Sequence, residues 1–318
     1  MNNKNNNNII VSGTLAYDRI MDFPGRFRDH ILPEKIHILN VSFSINGIKE
    51  SFGGTAGNIA YNLSLLGERP KILTLVGDDF SRYAAWLKKN KIDISKVKKV
   101  KDEKTACAYI ITDQDDNQIN GFYNGPKDKN YLNIAKKQKD VKIAIVAPEL
   151  KERMLGLIRI YKKQNIPYIF DPGQQLTNFS KTDLKSAIIG SKIVIGNDYE
   201  IQLILDILKV NQKQLEKMTE TLIITKGAKG SEIYSQGKKI KIPPAKPKNI
   251  CDPTGAGDAY RAGLIKGIIE GWSWEKIGRL AGLVSVYTVE KYGTQTHRFD
   301  LKGLRERYRR SFGDKLII

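Results

Sequence analysis

Cysteine is nearly absent from this 318-residue chain: Cys107 and Cys251 stand far apart and share no metal-like spacing. That excludes a disulfide framework and a cysteine-rich metal site, and fits two reduced thiols. Histidine is as scarce, and His30, His37 and His297 are too scattered for a histidine-based metal centre. No apolar run approaches the ~20 residues that would span a bilayer, so no membrane role is expected. The asparagine-rich residues 1–8 lack the apolar core of a secretory signal. They read as a short disordered tail on a cytoplasmic protein.

Acidic residues are also in short supply. Lys and Arg number 53 against 34 Asp and Glu, a formal charge of +19. Such an excess can signal a nucleic-acid partner. Here the basic residues are spread along the whole chain, with no zinc finger, RNA-binding aromatic signature or basic heptad array, so no nucleic-acid partner is expected. Most of these charges are assigned to solvated helix faces and loops, and some to steering an anionic cosubstrate.

The pattern of apolar residues indicates an α/β fold. Ile9–Val11, Lys71–Val76, Val141–Val146, Tyr168–Phe170, Ile193–Ile195 and Thr221–Thr225 read as buried strands. Helical spacing separates them at Asn58–Leu66, Tyr83–Lys89, Glu152–Lys163 and Tyr199–Leu208. That alternation predicts a mostly parallel sheet with helices on both faces. Two stretches differ. Val41, Phe43 and Ile45 alternate with polar residues, as in a half-exposed strand. Thr105–Tyr123 reads as a hairpin turning at Asp115-Asp116-Asn117. Together with residues 14–18, the segments at about 36–52 and 104–124 predict a small β lid on a single domain, residues 9–318. The lid would lie over the carboxyl ends of the strands, where α/β proteins bind ligands.

The strongest chemical signal is Asp252-Pro253-Thr254-Gly255-Ala256-Gly257-Asp258, followed by helical spacing from Ala259 to Ile269. Glycines at a helix N-terminus present free backbone N–H groups and the positive dipole end to an anion. Asp258 beside that cradle could take the proton of an attacking hydroxyl, and the helix terminus is expected to keep it ionised. The plainer alternative is an Asp cap after a glycine turn. Asn197-Asp198-Tyr199-Glu200 places two hard oxygen ligands on one first helical turn; a capping box is the competing reading.

The segment from Asp252 to Gly263 resembles the C-terminal signature of the ribokinase-like (PfkB) carbohydrate and nucleoside kinases, and Gly53-Gly54-Thr55-Ala56-Gly57-Asn58 resembles their N-terminal signature. The order of motifs matches from about Ile10 to Gln295. The resemblance implies a three-layer α/β/α ribokinase-like fold with a β-sheet lid, and ATP as cosubstrate. It implies Asp258 as catalytic base and the N–H groups of Gly255, Ala256 and Gly257 as the anion hole. Asn197 and Glu200 match the family's Asn-x-x-Glu element, with Glu200 acting on Mg²⁺ through water. Thr225, Gly227 and Gly230, within Thr225-Lys226-Gly227-Ala228-Lys229-Gly230, match the loop beside the ATP phosphates. Asp252 matches a position that contributes to a monovalent cation (K⁺) site in some relatives, and a homodimer through the lid is expected.

For the acceptor, Gly13–Asp18, Phe122-Tyr123, Asp171-Pro172-Gly173-Gln174-Gln175 and Gly293-Thr294-Gln295 look like bacterial adenosine kinases. That implies purine salvage, with Asp18, Asn58, Thr14 and the Gly54 backbone at the ribose. Phe122 would stack on the base, and Gln174 and Gln175 would contact the purine or ribose. Two positions depart from that pattern. Ala108 stands where an aromatic is expected, with Tyr109 beside it, and Asn178 replaces an Arg. A PfkB sugar kinase of ribokinase or fructokinase type stays open as the alternative.

Overall fold

Ile9, Ile10 and Val11 form the inner part of β1 (Asn8–Ser12) and are fully buried. The computed structural model describes residues 8–128, 130–136, 138 and 140–318. The expected tail lies outside the described residues except for Asn8, which corrects that boundary by belonging to β1. Along the chain follow β2 (Ala16–Asp22), β3 (Ile48–Gly53), α1 (Thr55–Leu65), β4 (Lys71–Val76), α2 (Ser81–Lys89), β5 (Asp93–Lys99), β6 (Ala106–Thr112) and β7 (Gln118–Tyr123). Then come β8 (Val141–Val146), α3 (Lys151–Lys163), β9 (Tyr168–Phe170), α4 (Lys181–Ile188), β10 (Ile193–Asn197), α5 (Asp198–Leu208) and α6 (Gln212–Glu216). The chain closes with β11 (Thr221–Thr225), β12 (Ser231–Ser235), β13 (Lys238–Ile242), α7 (Ala256–Ile269), α8 (Trp274–Val289) and α9 (Leu301–Phe312).

Nine strands make the main sheet, in the order β13-β12-β11-β10-β9-β8-β1-β4-β5. Every neighbouring pair is parallel except β11–β12 and β12–β13. Period-two alternation splits the core in two. Ile9, Val11, Ile143 and Ile145 face one cluster with residues of α1, α7, α8 and α9. Ile10, Ala144 and Val146 face the other, with residues of α3, α4 and α5. This is the three-layer arrangement that the buried, Ile- and Val-rich strands require.

The lid is a separate sheet in the order β3-β2-β6-β7, antiparallel except for the β2–β6 pair. Its hairpin is where the sequence predicts it. The expected strand around Val41–Ile45 is not formed; the strand is β3, Ile48–Gly53. The reason is the extent of the partner. The register with β2 ends at Met21↔Ile48 and the last backbone bonds are those of Asn46 and Gly47 with Asp22, so residues 41–45 run past it with no ladder to join. Phe43 instead packs against Phe23 and Phe27, at ring separations of 4.7 and 5.1 Å. Alternating exposure survives there without a sheet.

Candidate active site

Gly255 caps α7 with φ of +78°, and a Cβ there would sit 2.9 Å from Thr294 Cγ2. Both the left-handed backbone and the contact call for glycine. The turn starts the helix at Ala256 and puts Asp258 in its first turn, beside unsatisfied N–H groups. Ala256 and Gly257 line a cavity of about 320 Å³ together with Thr225, Gly227, Gly230 and Tyr260. The two motifs expected to meet a nucleotide therefore share one space, about thirty residues apart in sequence. Apolar side chains such as Ala245, Ile250, Val286 and Val289 also line it, which suits a flat base.

Asp258 is not held as expected. Its pKa is raised to about 7, chiefly by burial, with the carboxylates of Asp171 and Asp18 adding to the rise. The Asn58 hydrogen bond and the Arg261 charge oppose it without cancelling it. The residue as a whole keeps some solvent access. The expectation that the helix terminus keeps Asp258 ionised is thus corrected: removing water from the carboxylate outweighs the dipole. A base near neutrality is what proton abstraction from a hydroxyl favours.

Asn58 Nδ2 donates to Asp258 Oδ2 at 2.8 Å, and Asn58 Oδ1 accepts from Gln295 Nε2 at 3.0 Å. Gln295 Nε2 also donates to Tyr83 Oη at 2.6 Å, while its Oε1 accepts from Trp86 Nε1 at 3.0 Å. This buried chain fixes the Asn58 amide, and so the face that Asp258 turns to the cleft. A side chain at Gly57 would strike Tyr83 Oη at 2.0 Å, which explains that glycine. Arg261, one turn on from Asp258, makes a buried bidentate pair with Asp171 at 2.8 and 2.9 Å. That pair ties α7 to the end of β9.

Asp18 belongs to β2, and its carboxylate lies against Gly53, where a Cβ would come within 2.2 Å of Oδ2. Burial and Asp252 raise its pKa to about 6. The lid register aligns Ser51, Asp18, Ala108 and Phe122 across four strands, hence on one face. Tyr109 points to the opposite face, where its hydroxyl accepts from Arg19 at 2.9 Å. Ala108, not Tyr109, therefore lies between Asp18 and Phe122. Gly54 has φ of +83°, and a Cβ there would meet the Thr14 carbonyl oxygen at 2.5 Å, so this turn packs backbone on backbone.

Asn197 and Glu200 form a complete capping box on α5: each side chain accepts from the other's backbone N–H at 2.8 Å. Burial and Asp171 raise the Glu200 pKa, and Arg261 opposes this, so Glu200 is close to the Asp171–Arg261 pair. Gln174 is exposed and Gln175 half-buried, and Gln175 Oε1 accepts from Asn178 at 2.9 Å. Asp252 accepts from the backbone N–H groups of Thr254 and Gly293, at 2.9 and 3.0 Å, clamping the glycine turn to the 293–295 loop. Among the described residues, no three His, Cys, Asp or Glu side chains gather as a metal cage.

The model of the pfkB family carbohydrate kinases matches residues 23–299, most of the chain. The chain belongs to this family. A nucleoside kinase of Methanocaldococcus jannaschii is 35% identical over 266 residues, covering 83% of this chain and 87% of that protein. One of Methanothermobacter thermautotrophicus is 37% identical, covering 81% and 84%. The structure of Burkholderia thailandensis nucleoside kinase in complex with inosine superposes with a TM-score of 0.86 at 34% identity, over 96% of this chain and 99% of that one. As a member of the pfkB family the chain is a kinase, with the ribokinase-like fold.

Five residues that brace this site have no role from sequence: Arg261, Asp171, Gln295, Tyr83 and Trp86. Asp171 and Gln295 were visible only as motif neighbours. Arg261 carried one signal, shared with Lys266: a cation within a mostly apolar helical stretch, where burial calls for a carboxylate partner.

Proposed function

We propose that this chain transfers the γ-phosphoryl group of ATP to a hydroxyl of a purine nucleoside, adenosine first, forming AMP and ADP in purine salvage. The row across the lid carries this reading. Asp18 and Phe122 share a face two strands apart, about 10 Å at ~4.8 Å per strand. A nucleoside bridges that span and a free pentose does not. Its ribose would meet Asp18, with Thr14, the Gly54 backbone and Asn58 nearby, and its base would stack on Phe122. Gln174 and Gln175 would border the purine. The similarity to nucleoside kinases supports the same acceptor class. Ala108 leaves room beside Asp18, which favours tolerance of several purine bases.

In this reading Asp258 takes the acceptor proton, and the N–H groups of Gly255, Ala256 and Gly257 stabilise charge on the transferred group. Asn197, Thr225, Gly227 and Gly230 border the ATP phosphates. Mg²⁺, which keeps most of its waters and takes oxygen ligands, suits a site where Glu200 accepts from one of those waters. It would neutralise phosphate charge. Asp252, with lone pairs left beyond its two N–H contacts, would border a K⁺ ion. Excess EDTA should abolish turnover, and replacing KCl by choline chloride should lower it.

An acceptor panel with ATP and Mg²⁺ tests the proposal: adenosine, inosine, guanosine, ribose, fructose and fructose 6-phosphate. A purine nucleoside should lead by at least ~10²-fold in kcat/KM. That is the sum of stacking at ~1–3 kcal/mol and base-edge hydrogen bonds at ~1 kcal/mol each, at 1.4 kcal/mol per decade. A sugar or sugar phosphate leading instead would place the chain with the sugar kinases of the family.

The lid's outer face suggests a second copy of the chain as its cover. Ile48, Met21, Ile111 and Ile119 align in one row on the face away from Asp18, and Ile48 is 62% exposed. Light scattering should report a dimer, and Ile48→Asp with Ile119→Asp should yield a monomer.

A further inference from the structure

A second cavity, of about 340 Å³, lies between the end of α8, the 246–250 loop and α9. Five cations line it: Lys248, Lys291, Arg298, Arg307 and Arg310. One carboxylate faces them, Glu290, and it is already used. Both of its oxygens accept from Arg307, at 2.5 and 2.9 Å, and one also accepts from the Lys248 backbone at 2.6 Å. Arg310 reaches Glu306, outside the pocket, at 3.5 Å. Arg298 lies over the rings of Tyr61 and Trp86, at 5.7 and 5.5 Å. Arg298 also donates to Asn90 Oδ1 at 3.3 Å. The residues that line the pocket thus sum to a formal +4, five cations against one carboxylate.

A second observation concerns the floor. His297 lines the pocket at 1% exposure, with its Nε2 turned to Asn62 Oδ1 at 2.8 Å. Because Asn62 Nδ2 donates to the Asn58 carbonyl, Oδ1 is the acceptor, so Nε2 carries the hydrogen. Nδ1 is left as a buried lone pair with no protein partner. A buried polar atom without a partner costs free energy that a bound hydrogen-bonding group offsets.

We propose that this pocket is a second anion site, separate from the nucleotide cavity, which takes a small, multiply charged phosphate compound. Convergent like charges repel each other, and an anion between them removes that repulsion. Two arginines and two lysines with no carboxylate lining the pocket beyond Glu290 match phosphate oxygens, arginine by its fork and lysine as a point charge. A partly protonated phosphate also brings an O–H donor toward the floor. A volume of about 340 Å³ fits one small molecule and not a strand of nucleic acid, whose backbone calls for an extended groove.

Inorganic pyrophosphate is the probe, titrated calorimetrically into the whole protein with the nucleotide cavity filled by Mg²⁺ and just-saturating ADP. One pyrophosphate per chain should still bind, and more weakly as salt is raised. In Lys291→Glu/Arg310→Glu its affinity should fall at least tenfold, and in Lys291→Gln/Arg310→Gln by a smaller factor. Both positions are exposed and outside the catalytic machinery, so adenosine turnover without pyrophosphate should match the wild type. Parallel titrations with inorganic phosphate and AMP distinguish the sources of the phosphate group. No binding once ADP is present, or equal binding by the charge-reversed variant, would overturn the proposal. So would a short RNA that binds there more tightly than pyrophosphate, since it would make the surface a nucleic-acid groove.

Discussion

The glycine turn at Gly255–Asp258, proposed to hold phosphate, and the row on β2, β6 and β7, proposed as the acceptor wall, differ in how many parts of the chain each needs. The turn is one local segment. Its left-handed Gly255, its helix start and its carboxylate lie within four residues. The acceptor wall joins Asp18, Ala108 and Phe122 from three strands through the register of two strand pairs. A local device is robust to what happens elsewhere, whereas a register-built wall can be altered one side chain at a time without disturbing the chemistry.

The sharpest way to break the local device is Asp258→Asn. We expect kcat to fall at least ~10²-fold, the lower range of general-base effects, with acceptor KM little changed. In the wild type, kcat/KM should rise as Asp258 ionises, with a midpoint near its raised pKa of about 7. The same shift has a stability consequence. A carboxyl group with a folded pKa above its unfolded value of 3.8 favours the folded state fully below that unfolded value. This contribution is lost as pH rises toward the folded value of about 7. Asp258→Asn should therefore melt higher than the wild type at pH 8, with the gap closing by pH 4. An equal gap at both pH values would contradict the buried carboxylate.

On the acceptor wall, Phe122→Ala should lower kcat/KM for adenosine by ~10–100-fold, the equivalent of ~1–3 kcal/mol of stacking. Turnover of ribose, if measurable, should stay the same. Equal losses with both acceptors would mean that Phe122 serves the fold of the lid and not the base.

Gln295→Met sits between the two regions, since it releases the Asn58 amide that bonds Asp258. A roughly tenfold loss in kcat is expected, about one hydrogen bond to a charged group. Because the Asn58 hydrogen bond lowers the Asp258 pKa, weakening it should move the rising limb of the pH profile to higher pH. A structural defect alone would lower the rate without moving that limb.

The smallest effect is expected from Glu200→Ala. It should raise the Mg²⁺ needed for half-maximal rate several-fold, and loss of the capping box should cost about 1 kcal/mol of stability. A lower melting temperature with an unchanged Mg²⁺ requirement would leave Asn197 and Glu200 as a helix cap only.

How legible each region was follows from the same contrast. Strands β1, β4, β8, β9, β10 and β11 are short runs buried on both faces, so their composition marks them directly. The glycine turn was legible because a helix start with left-handed glycine has few sequence solutions. The strand misplaced at Val41–Ile45 had the right alternation but no neighbour to pair with, and alternation does not report where a partner strand ends. Tyr109 beside Ala108 shows the same limit: a one-residue change of register exchanges the faces. The Asp258 pKa was misjudged because desolvation depends on everything packed around the carboxylate, including Asp171 and Asp18 from distant segments.

What the sequence determined by itself is therefore the layered sheet and the glycine turn that starts a helix just before Asp258, because periodicity and helix-terminus chemistry act over a few residues. Tertiary structure alone decided the aligned row on the lid, the Trp86–Gln295–Asn58–Asp258 chain and the buried Arg261–Asp171 pair. Each joins residues that are tens to hundreds of positions apart. Dielectric environment and strand register exist only once the chain has brought those residues together.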